Sequence, residues 1–326
     1  MHSNSIHSLP DVASDAQPDA AGTLDWVGME NIALPVRLVG EDGATAQSVA
    51  RVSAFVNLAD PAARGIHMSR LYLLLDCALS AEPMTPASLR RLLHDFLASH
   101  ASLSDRAMLR IAFEHLLRRP ALVSDNSGWK AYPVEISATL APGHFALELQ
   151  VDVQYSSTCP ASAALARQVI QQRFAEDFTR GKALDHAAVE RWLGTTQGIC
   201  ATPHSQRSTA RVRVRLAPGF DLPIVELVDA IESALATPVQ TAVKREDEQA
   251  FARLNGENSM FCEDAARRIR GALDADERIA DFQVRVAHHE SLHAHDAVAV
   301  ATKSGAASLR ISASAAKLDP AVPRTS

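Results

Sequence analysis

The run from Phe145 to Tyr155, FALELQVDVQY, alternates apolar and polar residues from Leu147 onward. Phe145, Leu147, Leu149, Val151, Val153 and Tyr155 fall on one side; Glu148, Gln150, Asp152 and Gln154 fall on the other. A period of two suits only an extended chain. So long a run of it reads as an antiparallel strand with one buried face. ARVRVRL repeats the pattern, with Arg211, Arg213 and Arg215 opposite Val212, Val214 and Leu216. FQVRV (Phe282, Val284, Val286) and AVAV (297–300) supply two later strands. Between these strand pairs the period changes to that of a helix, first in Ile224, Leu227, Val228, Ile231 and Leu235, then in Cys262, Ala266, Ile269 and Leu273. The second half therefore reads strand-strand-helix-helix-strand-strand.

The first half reads the same way. NIALPVRLV and SVARVSAFVNL are strands, and HMSRLYLLLD and 86–100 are helices. The second of these helices has a Thr85 cap, Pro86 in its first turn and Leu89, Leu92, Leu93, Phe96 and Leu97 on one face. Strands are expected next near 106–114 and at 130–140. Residues 106–116 stay open by pattern alone. Leu109, Ile111 and Phe113 fit a strand, yet RAMLRIAFEHLLRR also fits an amphipathic helix. Pro142-Gly143 is a natural boundary. The expected organisation is a flexible tail at 1–25, a first module at 26–141, a second module at 142–303 with a helical insertion near 163–199, and a loose Ala/Ser/Pro-rich tail at 304–326. The fold class is α+β, antiparallel sheets with helices on one face.

Composition removes several function classes. The 326 residues are 47% hydrophobic, enough for a real core, and carry a net charge of -6. Broad attraction to nucleic acid or to an anionic membrane is not expected from such a chain. A polyanionic small molecule still fits, because one local basic pocket can hold it. No apolar run reaches the length of a bilayer span, and the polar N-terminus lacks the plan of a secretory signal. The four cysteines, Cys77, Cys159, Cys200 and Cys262, form no CxxC pair. A reduced cytoplasmic protein is the expectation.

The chain has no Walker loop or GxSxG elbow. It has scattered polar clusters instead: Cys159 after the long strand, His204 in HSQRS, KREDE at 244–248, Glu263 at a helix start, and HHESLHAH at 288–295. Taken singly, each has a plain explanation as a buried thiol, a loop histidine, a solvated run or a helix-dipole partner. Strand ends and helix starts of an antiparallel repeat converge on one rim, however. Thiolate, imidazole and carboxylate together suit a borderline divalent ion with an open position for water.

VGMENIALPV, VNLADPAARGIHMSRLY, TCPASA, HSQRS, KREDE, FCEDAARRI and ESLHAHDAVA occur in this order between about residues 26 and 302. As a set they resemble the type IB family of GTP cyclohydrolase I. The resemblance implies a tandem tunnelling fold, two ββααββ modules per chain, and favours a strand at 106–116. It also implies assembly into a homo-oligomer, dimer or tetramer. The implied reaction takes GTP and water to 7,8-dihydroneopterin triphosphate and formate, the first step of folate and pterin synthesis. By the same resemblance, Cys159, His204 and Glu248 would hold one divalent ion per chain (zinc, manganese or iron), which would activate water for attack at C8 of the purine. Glu263 would accept hydrogen bonds from the guanine N1–H and exocyclic amine. His293 and His295, with Glu290 nearby, would move or orient protons, since imidazole exchanges them near neutrality.

Arg70, Arg207, Lys244 and Arg245 are candidates for the triphosphate, and His67 in GIHMSR is a further substrate candidate; simple solvation is the alternative for each. His288 and His289 read as structural or solvated. The chain departs from the family's pattern in two places. Ala161 stands where a second cysteine is usual, and the stretch between Cys159 and His204 is much longer than usual. Two other readings remain open: another tunnelling-fold enzyme acting on a pterin or purine, and a non-catalytic metal-binding oligomeric scaffold.

Overall fold

The computed structural model describes residues 20–40 and 44–303. Most of the tails expected at 1–25 and 304–326 lies outside the described residues. The first strand already begins at Leu24, so Leu24 and Asp25 belong to the sheet rather than to a tail. In chain order the elements are β1 (Leu24–Val39), β2 (Thr45–Leu58), α1 (Met68–Ala81), α2 (Pro86–Ser99), β3 (Ala107–Pro120) and β4 (Ser127–Ala141). There follow β5 (His144–Thr158), α3 (Pro160–Asp177), α4 (His186–Leu193), β6 (Ser205–Leu216), α5 (Ile224–Leu235), α6 (Arg245–Glu257), α7 (Cys262–Asp274), β7 (Ile279–His288) and β8 (Ala297–Thr302). The eight strands are hydrogen-bonded in chain order, so neighbours in sequence are neighbours in the sheet. β1 with β2, β2 with β3, and β7 with β8 pair antiparallel.

Residues 106–116, open by pattern, lie almost wholly in strand. Leu109, Ile111 and Phe113 are buried and pair with Ala54, Val52 and Ala50 of β2. A ready sheet partner overrides a helix that the local pattern would equally allow. The α2 start follows its composition: Thr85 Oγ1 accepts from Ser88 N at 3.1 Å, and Thr85 N donates back to Ser88 Oγ at 2.9 Å.

The second half differs from expectation in one element. It holds three helices between β6 and β7, not two. α6 carries REDEQAFARLNGE, of which only Asp247 is buried, so no apolar stripe announces the helix. The inserted segment does form helices, α3 and α4. They are held together by Phe174, Phe178 and Trp192, with ring centroids 4.7–5.8 Å apart.

The chain packs as two compact units, each drawing on both halves of the sequence. One takes the chain through His115, Ala131–Gln150 and Arg215–Pro223; the other takes Leu116–Lys130, Val151–Val214 and the chain from Ile224. Val52, Val56, Leu71, Leu75, Leu93 and Phe96 are fully buried in the first. Val151, Val153, Val212, Ile231, Ile269 and Phe282 are fully buried in the second. Each such side chain contributes about 1.5–3 kcal/mol of burial. The second unit holds most of the candidate site residues, Cys159, His204, Glu248, Glu263, His293 and His295 among them.

Candidate active site

β5 ends at Thr158 and α3 opens at Pro160, which leaves Cys159 as the N-cap of α3. Its sulfur acts as an acceptor, taking the Ser162 N–H at 3.5 Å. Cys159 N donates to His204 O at 3.3 Å, and His204 N donates to Ser162 Oγ at 3.1 Å. These bonds fasten the start of β6 to the start of α3 and bring together two of the expected metal ligands. The His204 ring is half-buried, with Nδ1 3.1 Å from Gln206 Oε1 and 3.7 Å from Glu290 Oε2.

Glu248 approaches through α6. Asp247, the preceding residue, is fully buried and accepts four hydrogen bonds: Lys244 N, Val123 N and Ser124 N at 2.8 Å each, and Ser124 Oγ at 2.5 Å. Burial would raise this carboxyl's pKa, but the bonds from Lys244, Ser124 and Val123 outweigh it and hold it far below the usual carboxylate range. KREDE is thus not a wholly solvated run, because its aspartate anchors the first turn of α6. Glu248 then lines a cavity of about 420 Å³ with Gln206, Arg207, Ser156 and Phe251. Among the described residues, no three His, Cys, Asp or Glu side chains stand together as a complete metal-binding group. Cys159 and His204 are tied through the backbone; Glu248 shares its cavity with Gln206 and Arg207, and Cys159 and His204 do not line it.

Glu263 opens α7 just after a backbone tie, Met260 N to Thr158 O at 3.1 Å, one residue from Cys159. Its exposed carboxylate is held below the ordinary range by its own backbone amide and by the Cys262 thiol, which donates to Oε2 at 3.3 Å. Burial, reinforced by that carboxylate, pushes the Cys262 thiol up to about 11. Glu263 also lines a cavity of about 520 Å³ with Arg267, Arg270 and Lys303.

His293 and His295 are exposed, their rings stacked with centroids 5.1 Å apart. The loop that carries them is tied to β6 by His289 N to Arg207 O at 3.3 Å and by Ser291 Oγ to Ser205 O at 3.3 Å. Lys244 Nζ donates to Asp125 Oδ1 at 2.6 Å, and Arg245 is exposed. His67 and Arg70 belong to the first unit, where His67 N donates to His100 Nε2 at 3.3 Å and Arg70 donates to Ser99 O at 2.9 Å.

The family described as Type I GTP cyclohydrolase folE2 matches residues 9–299. This chain belongs to the type I GTP cyclohydrolase FolE2 family. It is 57% identical over 292 residues to GTP cyclohydrolase FolE2 of Pseudomonas putida (strain GB-1), covering 89% of this chain and 94% of that one. To GTP cyclohydrolase FolE2 of Pseudoalteromonas translucida (strain TAC 125) it is 51% identical over 304 residues, covering 93% and 100%. Among solved structures, uricase from Arthrobacter globiformis is similar with a TM-score of 0.51 at 10% identity, covering 87% of this chain and 96% of that one. That likeness concerns the fold alone. With the doubled strand-and-helix order, it makes this an α+β tandem tunnelling fold.

Ala161, the residue two after Cys159, is exposed in the first turn of α3. Sequence reading of this FolE2-family chain passed over Gln206, Ser157, Ser208 and Tyr155. For Gln206 and Ser208 a signal was present: they follow His204 at intervals of two and share its side of the chain. His288 is structural, as expected. It is buried, with Nε2 2.8 Å from the Tyr155 hydroxyl, and burial pushes its pKa from 6.5 down to about 4 against the opposing pull of Glu263. Between these values the unfolded chain binds a proton that the folded chain refuses. Stability is therefore full above about pH 6.5 and is lost as pH falls toward about 4, by on the order of 3 kcal/mol from this ring. His288→Phe should flatten that acid limb in melting experiments; an unchanged slope would remove His288 from the account.

Proposed function

We infer that this chain converts GTP and water to 7,8-dihydroneopterin triphosphate and formate, the GTP cyclohydrolase step of folate biosynthesis, with one divalent ion per chain. The observation that carries the reading is the pairing of Cys159 with His204 at the junction of β5, α3 and β6 in a chain of this family. The donor chemistry fits an ion. The Cys159 sulfur already acts as an acceptor, and His204 Nδ1 is engaged, which leaves Nε2 as the nitrogen for a ligand bond. Glu248 is the third ligand in this reading. Sulfur, nitrogen and oxygen together suit zinc, with manganese or iron as alternatives. A bound divalent ion supplies an activated water at neutral pH.

The chain's own residues do the rest. Glu263 accepts hydrogen bonds from the guanine N1–H and 2-amine and so fixes the purine. Arg207, which lines the cavity beside Glu248, is the first cation for the triphosphate, with Lys244 and Arg245 at the start of α6 next. His67 and Arg70 are further substrate contacts in this reading. His293 and His295 carry protons to and from the opening ring. β1 and β8 end the sheet, and Trp26, Val298 and Val300 are exposed on them, which supports pairing with further copies as a dimer or tetramer. Among the described residues no helix is long and apolar enough to cross a membrane. The cysteines are free thiols, which supports the reducing cytoplasm as its place.

Replacing His293 or His295 by alanine tests the division of labour. GTP turnover should fall by roughly 10²–10⁴-fold while metal content stays intact. A variant that loses its metal would make that histidine a ligand. Full turnover in both variants would return the pair to a solvated loop.

A further inference from the structure

His204, Gln206 and Ser208 alternate along the entry into β6, so their side chains share one face. Gln206 is buried, and its carboxamide has two neighbours. Nε2 donates to Ser157 Oγ at 2.9 Å, and Oε1 lies 3.1 Å from His204 Nδ1. Ser157 and Ser208 are fully buried, their hydroxyls 2.8 Å apart, which anchors the far end of the chain of bonds. On its other side, the same Nδ1 faces Glu290 Oε2 at 3.7 Å. That oxygen is buried and has no hydrogen-bond partner among the described residues.

Two oxygens therefore converge on one ring nitrogen. The reverse orientation of Gln206 would turn its NH₂ toward Nδ1 and require a lone pair there. A lone pair would also face the Glu290 carboxylate, which repels it. The second oxygen thus decides both the orientation of the amide and the position of the proton. We propose that Gln206 and Glu290 are positioning residues that hold His204 in its Nδ1–H tautomer, so that Nε2 presents its lone pair outward as a metal ligand. This rests on the metal-site reading given above and extends it from the ligand to the residues that orient it. Outer partners of this kind fix both the tautomer and the ring plane of a ligating histidine, and losing one typically costs about 10–100-fold in metal affinity.

The full-length protein provides two measurements. The first is the imidazole nitrogen spectrum of the metal-free, ¹⁵N-histidine-labelled protein, with His204→Ala used to assign the His204 signals. Wild type should show Nδ1 protonated and Nε2 bare; the opposite pattern overturns the proposal without any further variant. The second is Zn²⁺ affinity by competition with a chromophoric chelator. Gln206→Leu should weaken Zn²⁺ binding by about 10–100-fold and shift the ring toward the Nε2–H form. Gln206→Glu, which keeps an oxygen facing Nδ1, should stay near wild type in both. Wild-type affinity and tautomer in Gln206→Leu would refute the role. If Gln206→Leu does not fold, Ser157→Ala, which frees the carboxamide to turn over, takes its place with the same two outcomes. Unchanged Zn²⁺ binding by His204→Ala would instead overturn the metal-site reading, and the metal-free spectrum would still decide the tautomer.

Discussion

Glu263→Gln is expected to lower GTP turnover by about 10⁴-fold while metal content and melting temperature stay where they are. The physical reason lies in the direction of the hydrogen bonds. An ionised carboxylate only accepts, and guanine's Watson–Crick edge offers it two donors, N1–H and the 2-amine. The Glu263 carboxylate is held ionised by its own backbone amide and the Cys262 thiol, so it is ready to accept before any nucleotide arrives. Glutamine would put an NH₂ against one of those donors and leave it unmatched. ATP should fail at the wild-type site for a related reason, because adenine offers an acceptor at N1 and no 2-amine. If Glu263 only complements the start of α7, the glutamine variant loses about 0.3–1 kcal/mol of stability and still converts GTP. Turnover, metal content and melting temperature on this one variant separate the two.

Cys159→Ala is expected to reduce Zn²⁺ affinity by at least about 100-fold, more than the roughly 10–100-fold that outer partners of a metal cost. Thiolate is the charged, soft member of the proposed set, and neither His204 nor Glu248 replaces it. The competing role is visible in the structure: Cys159 caps α3 through the Ser162 amide. Loss of a cap alone costs about 1 kcal/mol and leaves ion binding untouched. A chelator competition curve that overlays wild type, together with a slightly lower melting temperature, would make Cys159 a cap and nothing more.

Much of the fold was legible because its strands alternate cleanly. The Phe145–Tyr155 run lies within β5, and Val212, Val214 and Leu216 are buried along β6 as their spacing requires. The same reading missed α6, and for a definite reason. Helices reveal themselves through an apolar stripe, and α6 buries only Asp247. What holds its start is a set of hydrogen bonds to Val123 and Ser124, over a hundred residues earlier in the chain, and no local pattern encodes that. The candidate site divides in the same way. Cys159, His204, Glu248 and Glu263 stood out through motif resemblance, and Cys159 and His204 are joined by one backbone hydrogen bond, with a second from His204 N to Ser162 Oγ beside it. Glu290 was expected beside the late histidines, yet its carboxylate faces His204. Contacts of this kind depend on how the 289–296 loop folds back on β6, which spacing does not reveal. Lys244 donates to Asp125, a partner over a hundred residues earlier that spacing does not reveal either.

The most direct test of the central claim uses the purified full-length protein, first stripped with a chelator and then supplied with Zn²⁺, Mn²⁺ or Fe²⁺ in turn, and incubated with GTP. The expected result is formate and, after oxidation, fluorescent neopterin phosphate in equal amounts, with turnover lost on stripping and restored by at least one of the ions. GTP recovered unchanged with every ion would contradict the account.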